Sequence, residues 1–257
     1  MILYVNGDSH SAGAEAVNSF CFAKDDPLYW ALGNKPHPDN ERASYGCQLA
    51  NSLNAILKCD ARSASSNARI LRTTLDYLFG VDDLVQTTGK LVNQPDLLII
   101  GWATWEREEW FDSDTQRYWQ VNAGGIGHDW PPSIKNKYKQ WVIDQMDPEV
   151  INTKLIGEHS LIYQFHKTLN KFNIPHLFFN TYSDFSHIQH LKHLQVEEYN
   201  WDNSYIGPYD PDYTYYNWLK AKGFKTATPT SYHYKADAHA AWAEFLYQHY
   251  VQKLLTN

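Results

Sequence analysis

The segment PDLLIIGW, residues 95–102, constrains this chain more than any other. Four consecutive apolar residues lie between Pro95 and Gly101. A strand with one wet face alternates polar and apolar side chains; a strand that is apolar at every position needs cover on both sides, which is the condition of a central parallel strand. ILYV at 2–5 and IPHLFFNT at 174–181 have the same character. KCDA at 58–61 and KTAT at 225–228 read as shorter strands.

Helical spacing fills the intervals. ERASYGCQLANSLNAIL places Tyr45, Leu49, Leu53, Ile56 and Leu57 on one face, and NARILRTTLDYLF does the same with Ile70, Leu71, Leu75 and Leu78. GEHSLIYQFHKTLNKFN and DAHAAWAEFLYQHYVQKLL predict two more helices, the last with Asp237 as its N-cap. Strands alternating with helices predict an α/β fold with crossover connections and a mainly parallel sheet of about five strands. At 257 residues, 43% of them hydrophobic, one domain spanning 1–257 is expected.

Two stretches break the alternation, roughly 103–149 and 182–216. Both are aromatic-rich, and the first carries Trp105, Trp110, Trp119, Trp130 and Trp141. They read as insertions without regular periodicity. Each follows a predicted parallel strand, so both are expected at the carboxyl edge of the sheet, with Trp105, Trp110 and several tyrosines forming a cleft wall.

Charge narrows the partners. The formal charge is −7 and no Lys/Arg run stands out, which argues against nucleic acid and anionic membrane surfaces. No apolar stretch approaches the ~20 residues that span a bilayer, and the N-terminus lacks a signal-peptide pattern, so a soluble chain, cytoplasmic by default, is expected. Cys21, Cys47 and Cys59 are odd in number and lack a CxxC spacing, and read as buried thiols. His187, His190 and His193 read as a solvated helix face. No metal or cofactor is expected.

The candidate chemistry begins at VNGDSHSAG, residues 5–13. An apolar strand delivers Ser9 to its carboxyl end, where open parallel sheets bind ligands. From these residues alone Ser9 is either a nucleophile or a turn and capping residue.

The order of four blocks resembles the SGNH or GDSL-type serine hydrolases. VNGDSHSAG is similar to their first block, ARSASSNARILR to the second, LLIIGWATWER to the third, and SYHYKADAHAAWAEFL to the last. The resemblance implies a flavodoxin-like three-layer α/β/α sandwich and an esterase or acyl hydrolase, with a small-molecule or carbohydrate ester as substrate. It implies Ser9 as nucleophile and His233 as base; His239, with Asp237, is the second choice. The oxyanion donors it implies are the N–H groups of Ser9 and of the Ala64–Ser65 turn. The usual third-block asparagine is missing, and Asn67 or Thr104 is the candidate replacement. Trp102, Trp105 and Arg107 are the candidate substrate contacts, Arg107 being equally able to pair with a neighbouring glutamate. Thr230 and Ser231 stand where the family's acid would be, leaving a Ser-His dyad or an acid from an insertion. The rival reading is a silent module of the same fold that binds glycan or protein through its aromatic stretches.

Overall fold

Leu3 and Val5 point to one side of their strand and Tyr4 to the other, and all three are fully buried, so the first strand is covered on both faces as its composition requires. The computed structural model describes residues 1–19, 36–80, 90–124, 130–194 and 199–256. Its main sheet contains β1 (Ile2–Gly7), β2 (Ile56–Cys59), β3 (Leu97–Trp102), β6 (His176–Asn180) and β7 (Tyr205–Ile206). The order is β2-β1-β3-β6-β7 and every pairing is parallel. This is the doubly wound, flavodoxin-like order, in which the strand sequence reverses between β1 and β3.

Three layers result. On one face α2 (Tyr45–Ser52), α6 (Tyr215–Ala221) and α7 (Ala236–Leu246) cover Leu3, Val5, Leu97, Ile99, Leu177 and Phe179 with Tyr45, Leu49, Tyr215, Trp242 and Leu246. On the other, α3 (Asn67–Phe79) and α5 (Pro148–Lys171) cover Tyr4, Leu98, Ile100 and Phe178 with Ile70, Leu78, Ile162 and Phe165. Among the described residues no helix is long and apolar enough to cross a membrane.

Several expectations are corrected. The helix from Tyr45 ends at Ser52; Ala55 closes its end through Ala50 O, and Ile56 and Leu57 begin β2 instead of continuing the apolar face. The fifth strand is β7, because Tyr205 and Ile206 pair with Phe178 and Phe179, whereas KTAT contributes only a single bridge between Thr226 and Tyr234. Lys235 is the N-cap of α7, and Asp237 lies inside its first turn. Cys47 and Cys59 are half-buried free thiols, and Cys21 lies outside the described residues.

The 103–149 insertion is ordered. Its hairpin, β4 (Glu108–Asp112) and β5 (Arg117–Val121), packs with α4 (Pro132–Asp144) around Trp110, Trp119, Trp130, Ile134, Tyr138 and Trp141. These tryptophans therefore build a satellite core, not a cleft wall. Arg72 on α3 docks the hairpin through a bidentate contact with Glu109, 2.8 and 2.7 Å.

Burial leaves several histidines neutral. His176 Nδ1 donates to Ile174 O at 2.8 Å, so its Nε2 accepts from His166 Nδ1, also at 2.8 Å. Burial pushes His10, His159 and His176 down to about 4 and His239 to about 3. Between those values and the ordinary 6.5 the unfolded chain binds protons that the fold refuses, so stability falls as pH drops through that window, by up to ~1.4 kcal/mol per pH unit for each group. Glu158, raised to about 7 by burial, acts in the opposite sense between 4.5 and 7 and offsets one histidine. The urea midpoint should therefore fall between pH 7 and pH 5; an unchanged midpoint would contradict the neutral, buried state of these rings.

Candidate active site

Glycine makes the turn after β1 possible. Gly7 and Gly101 are partners across β1 and β3, and a Cβ on either would overlap Ser11 Oγ. Ser11 instead sits between the two strand ends and accepts a hydrogen bond from Tyr45 OH at 2.9 Å. The chain then coils tightly, Ala12 N–H bonding Asp8 O and Ala14 N–H bonding Ser9 O, both at 2.9 Å. Ser9 is left at the carboxyl edge, lining a cleft of about 540 Å³.

His233 comes from the loop before α7. Ala227 N–H bonds its carbonyl at 2.8 Å, and its own N–H is taken by Ser231 Oγ at 2.9 Å. Its Nε2 lies 2.9 Å from Ser9 Oγ. His239 instead faces the core, where its ring meets Tyr45 N–H and Tyr215 OH, so the second-choice base and its Asp237 partner are removed from the serine.

The carboxylate that faces His233 is Glu15, six residues after the serine in sequence. Its Oε2 lies 2.6 Å from His233 Nδ1 and accepts from Ser231 Oγ at 2.5 Å. The hydrogen bond from His233 holds the Glu15 carboxyl below its ordinary range, with the Ser231 bond adding to that and burial opposing it. Nδ1–H thus faces the carboxylate, and the Nε2 lone pair is left for the serine hydroxyl. Glu15 was absent from the sequence-derived candidates. Its backbone is left-handed, φ 59°, after Gly13 at 73°, and this double reversal returns the carboxylate to the site. Ala236 N–H, bonded to Ala16 O at 3.0 Å, ties the same loop to the start of α7. The available signal was that Glu15 is the one acidic residue among positions 10–18.

The remaining candidates separate clearly. Ala64 lines the cleft with a left-handed φ of 64°, the backbone region that glycine adopts at no cost. Among the described residues neither its N–H nor that of Ser9 has an acceptor. The Ser65 N–H and hydroxyl both donate to Arg62 O, so Ser65 is not available as a donor. Asn67 Oδ1 accepts the Ala103 N–H at 2.8 Å and Asn67 lies outside the cleft lining; Thr104 lies within it.

Trp102 is buried against Phe165 and Phe178, and Trp105 is half-buried against the same core, so neither meets a cleft ligand. Most aromatics of 182–216 also pack inward: Tyr199, Trp201 and Tyr209 surround His159. The cleft's aromatic groups are Tyr182 and Tyr232, 39% and 61% exposed, with ring centroids 6.0 Å apart. Among the described residues no group of three or more His, Cys, Asp or Glu is placed to hold a metal ion.

Arg107 pairs across the fold and not with a neighbouring glutamate. Its Nη1 reaches the fully buried Asp8 carboxylate at 3.3 Å and Ser65 O at 3.4 Å. Asp8 also receives Thr181 Oγ1 and the His10 N–H, each at 3.0 Å. One cation thereby joins the segments after β1, β2 and β3. Removing it strands a buried carboxylate, so Arg107→Met should lower the unfolding free energy by on the order of 3 kcal/mol, read from urea unfolding at pH 7.

No known protein family matches the sequence, and no curated protein does. Among solved structures the chain is similar to a carbohydrate esterase whose active site displays divergent catalytic and non-catalytic binding functions, at 14% identity and a TM-score of 0.47. An acetyl xylan esterase from the rumen bacterium Butyrivibrio proteoclasticus gives 14% and 0.40. Each comparison covers 98% of this chain and 64% of the other, so the chain spans under two thirds of those proteins. The acetyl xylan esterase AlAXEase gives 12% and 0.43, covering 98% of this chain and 100% of that one.

Proposed function

We propose that the chain is a serine esterase that removes a short acyl group from a carbohydrate ester. The observation that carries this reading is the unbroken relay from Glu15 Oε2 through His233 to Ser9 Oγ, with contacts of 2.6 and 2.9 Å at the carboxyl edge of the sheet. A binding module needs no base aligned on a serine.

Ser9 Oγ attacks the ester carbonyl carbon as its proton passes to His233 Nε2. Glu15 stabilises the imidazolium and holds the ring in place. The N–H groups of Ser9 and Ala64 receive the developing oxyanion. Collapse of the tetrahedral intermediate breaks the bond to the leaving alcohol, which takes the proton from His233. Water then adds to the acyl-enzyme by the same route, its proton moving to His233 and finally to Ser9 as the acid departs.

The carbohydrate part of the proposal rests on the rim. Tyr182 and Tyr232 offer two exposed ring faces, and Glu106 and Asn122 place a carboxylate and an amide beside them. Flat apolar faces with polar neighbours match the alternating CH and OH surface of a sugar.

A fluorophosphonate probe should label Ser9, and Ser9→Ala should abolish both labelling and hydrolysis of nitrophenyl acetate while leaving the thermal melt nearly unchanged. An active Ser9→Ala protein would end the esterase assignment at this site. Glu15→Gln keeps the shape of the acid and loses its charge; kcat should fall by ~10²–10⁴. Full activity in Glu15→Gln would reduce the relay to a Ser-His pair.

A further inference from the structure

Two backbone donors are fewer than the developing oxyanion can use, and the third-block asparagine position offers no side-chain donor, because Gly101 is followed by Trp102, Ala103 and Thr104. Of the two replacements left open by the sequence, Asn67 does not line the cleft: its carbonyl oxygen holds the Ala103 N–H, and its Nδ2, although buried without a partner, belongs to a residue outside the lining.

Thr104 differs in reaching the cleft. It is buried, it lines the cleft with Ser9 and Ala64, and its Oγ1 has no hydrogen-bond partner among the described residues. A buried hydroxyl left unpaired forgoes a hydrogen bond that a ligand atom can restore.

The sheet register brings Thr104 to the serine. Gly7 pairs with Gly101, so the chain leaves β1 toward Ser9 and leaves β3 toward Ala103 and Thr104 side by side. The backbone there is fixed at three points. Trp102 O accepts from Thr181 N–H at 2.9 Å; Asn67 holds the Ala103 N–H at 2.8 Å; and Thr104 O accepts the Arg107 N–H at 3.3 Å. Such a donor is preorganised, with little left to move but its own side-chain torsion.

We infer that Thr104 Oγ1–H is the third oxyanion donor, replacing an asparagine amide by a hydroxyl from a neighbouring position of the third block. The inference rests on the esterase reading. The hydroxyl keeps its proton throughout and acts by hydrogen bonding alone. Ser63, the other cleft residue with a buried unpartnered hydroxyl, lies on the β2 side beside Ala64 and serves as the comparison.

The test is nitrophenyl acetate kinetics, fluorophosphonate labelling rate and thermal melting for wild type, Thr104→Val, Thr104→Ser and Ser63→Ala. Thr104→Val should lower kcat by ~10²-fold with KM unchanged and slow labelling in parallel, whereas Thr104→Ser should restore most of both. Should Thr104→Val fail to melt cooperatively, Thr104→Ala gives the same reading. Wild-type rates in the hydroxyl-free variant, or an equal loss in Thr104→Ser, would overturn the inference while labelled wild-type Ser9 keeps the esterase reading. A loss confined to Ser63→Ala would overturn it in favour of that hydroxyl. A wild-type chain that takes no label at Ser9 overturns the esterase reading and this inference with it.

Discussion

Ser11 sits between Gly7 and Gly101, in space that a Cβ on either glycine would fill. The contact decides how closely the ends of β1 and β3 approach at the point where the strand order reverses, and the reversal is what opens a crevice there. The turn that carries Asp8, Ser9 and His10 is built on Ser11, and the coil that carries Glu15 is built on that turn. Asp8, Ser9, His10 and Glu15 are thus referenced to one tight junction between two interior strands of the sheet, as preorganised chemistry requires.

Polar groups held against their preferences surround that junction. Asp8 is fully buried as one half of an ion pair, His10 is pushed down to about 4 by burial, and Glu15 holds a left-handed backbone that costs of order 1–3 kcal/mol for a residue with a side chain. Such costs persist only where surrounding structure overdetermines them. Here the two helical layers supply that support, and the concentration of strain at one strand edge marks the place where the fold gives up stability for geometry.

The fold was legible because its central strands are apolar on both faces, a pattern with few alternatives. What was misread has local physical causes. Ile56 and Leu57 fit the helical period of the residues before them, yet Asn54, with φ 49°, ends the helix and turns the chain into β2. Tyr205 and Ile206 are too short a strand to show a period. At the site, Ser9 and His233 were readable because each lies at a fixed offset from a regular element, the end of β1 and the start of α7. Glu15 was not, because its position depends on two left-handed residues in a coil, Gly13 and Glu15 itself with Ala14 between them, a conformation that only Gly13 advertises.

The tryptophans show how composition can mislead about function. Clustered aromatics in polar sequence suit either a ligand platform or the core of a small substructure, and both uses bury similar area per ring. A two-stranded hairpin cannot stand alone in water, so β4 and β5 need an apolar body against which to fold, and Trp130 just before α4 supplies it together with Ile134, Tyr138 and Trp141 of that helix. That requirement consumes Trp110 and Trp119 before any ligand could use them. The insertion reaches the cleft through other residues: Thr104, Glu106 and Arg107 on the way into the hairpin, and Asn122, Ala123 and Gly124 on the way out. Its aromatic interior fixes where those two polar segments lie, so its contribution to the site is to position a rim and not to bind through its own rings.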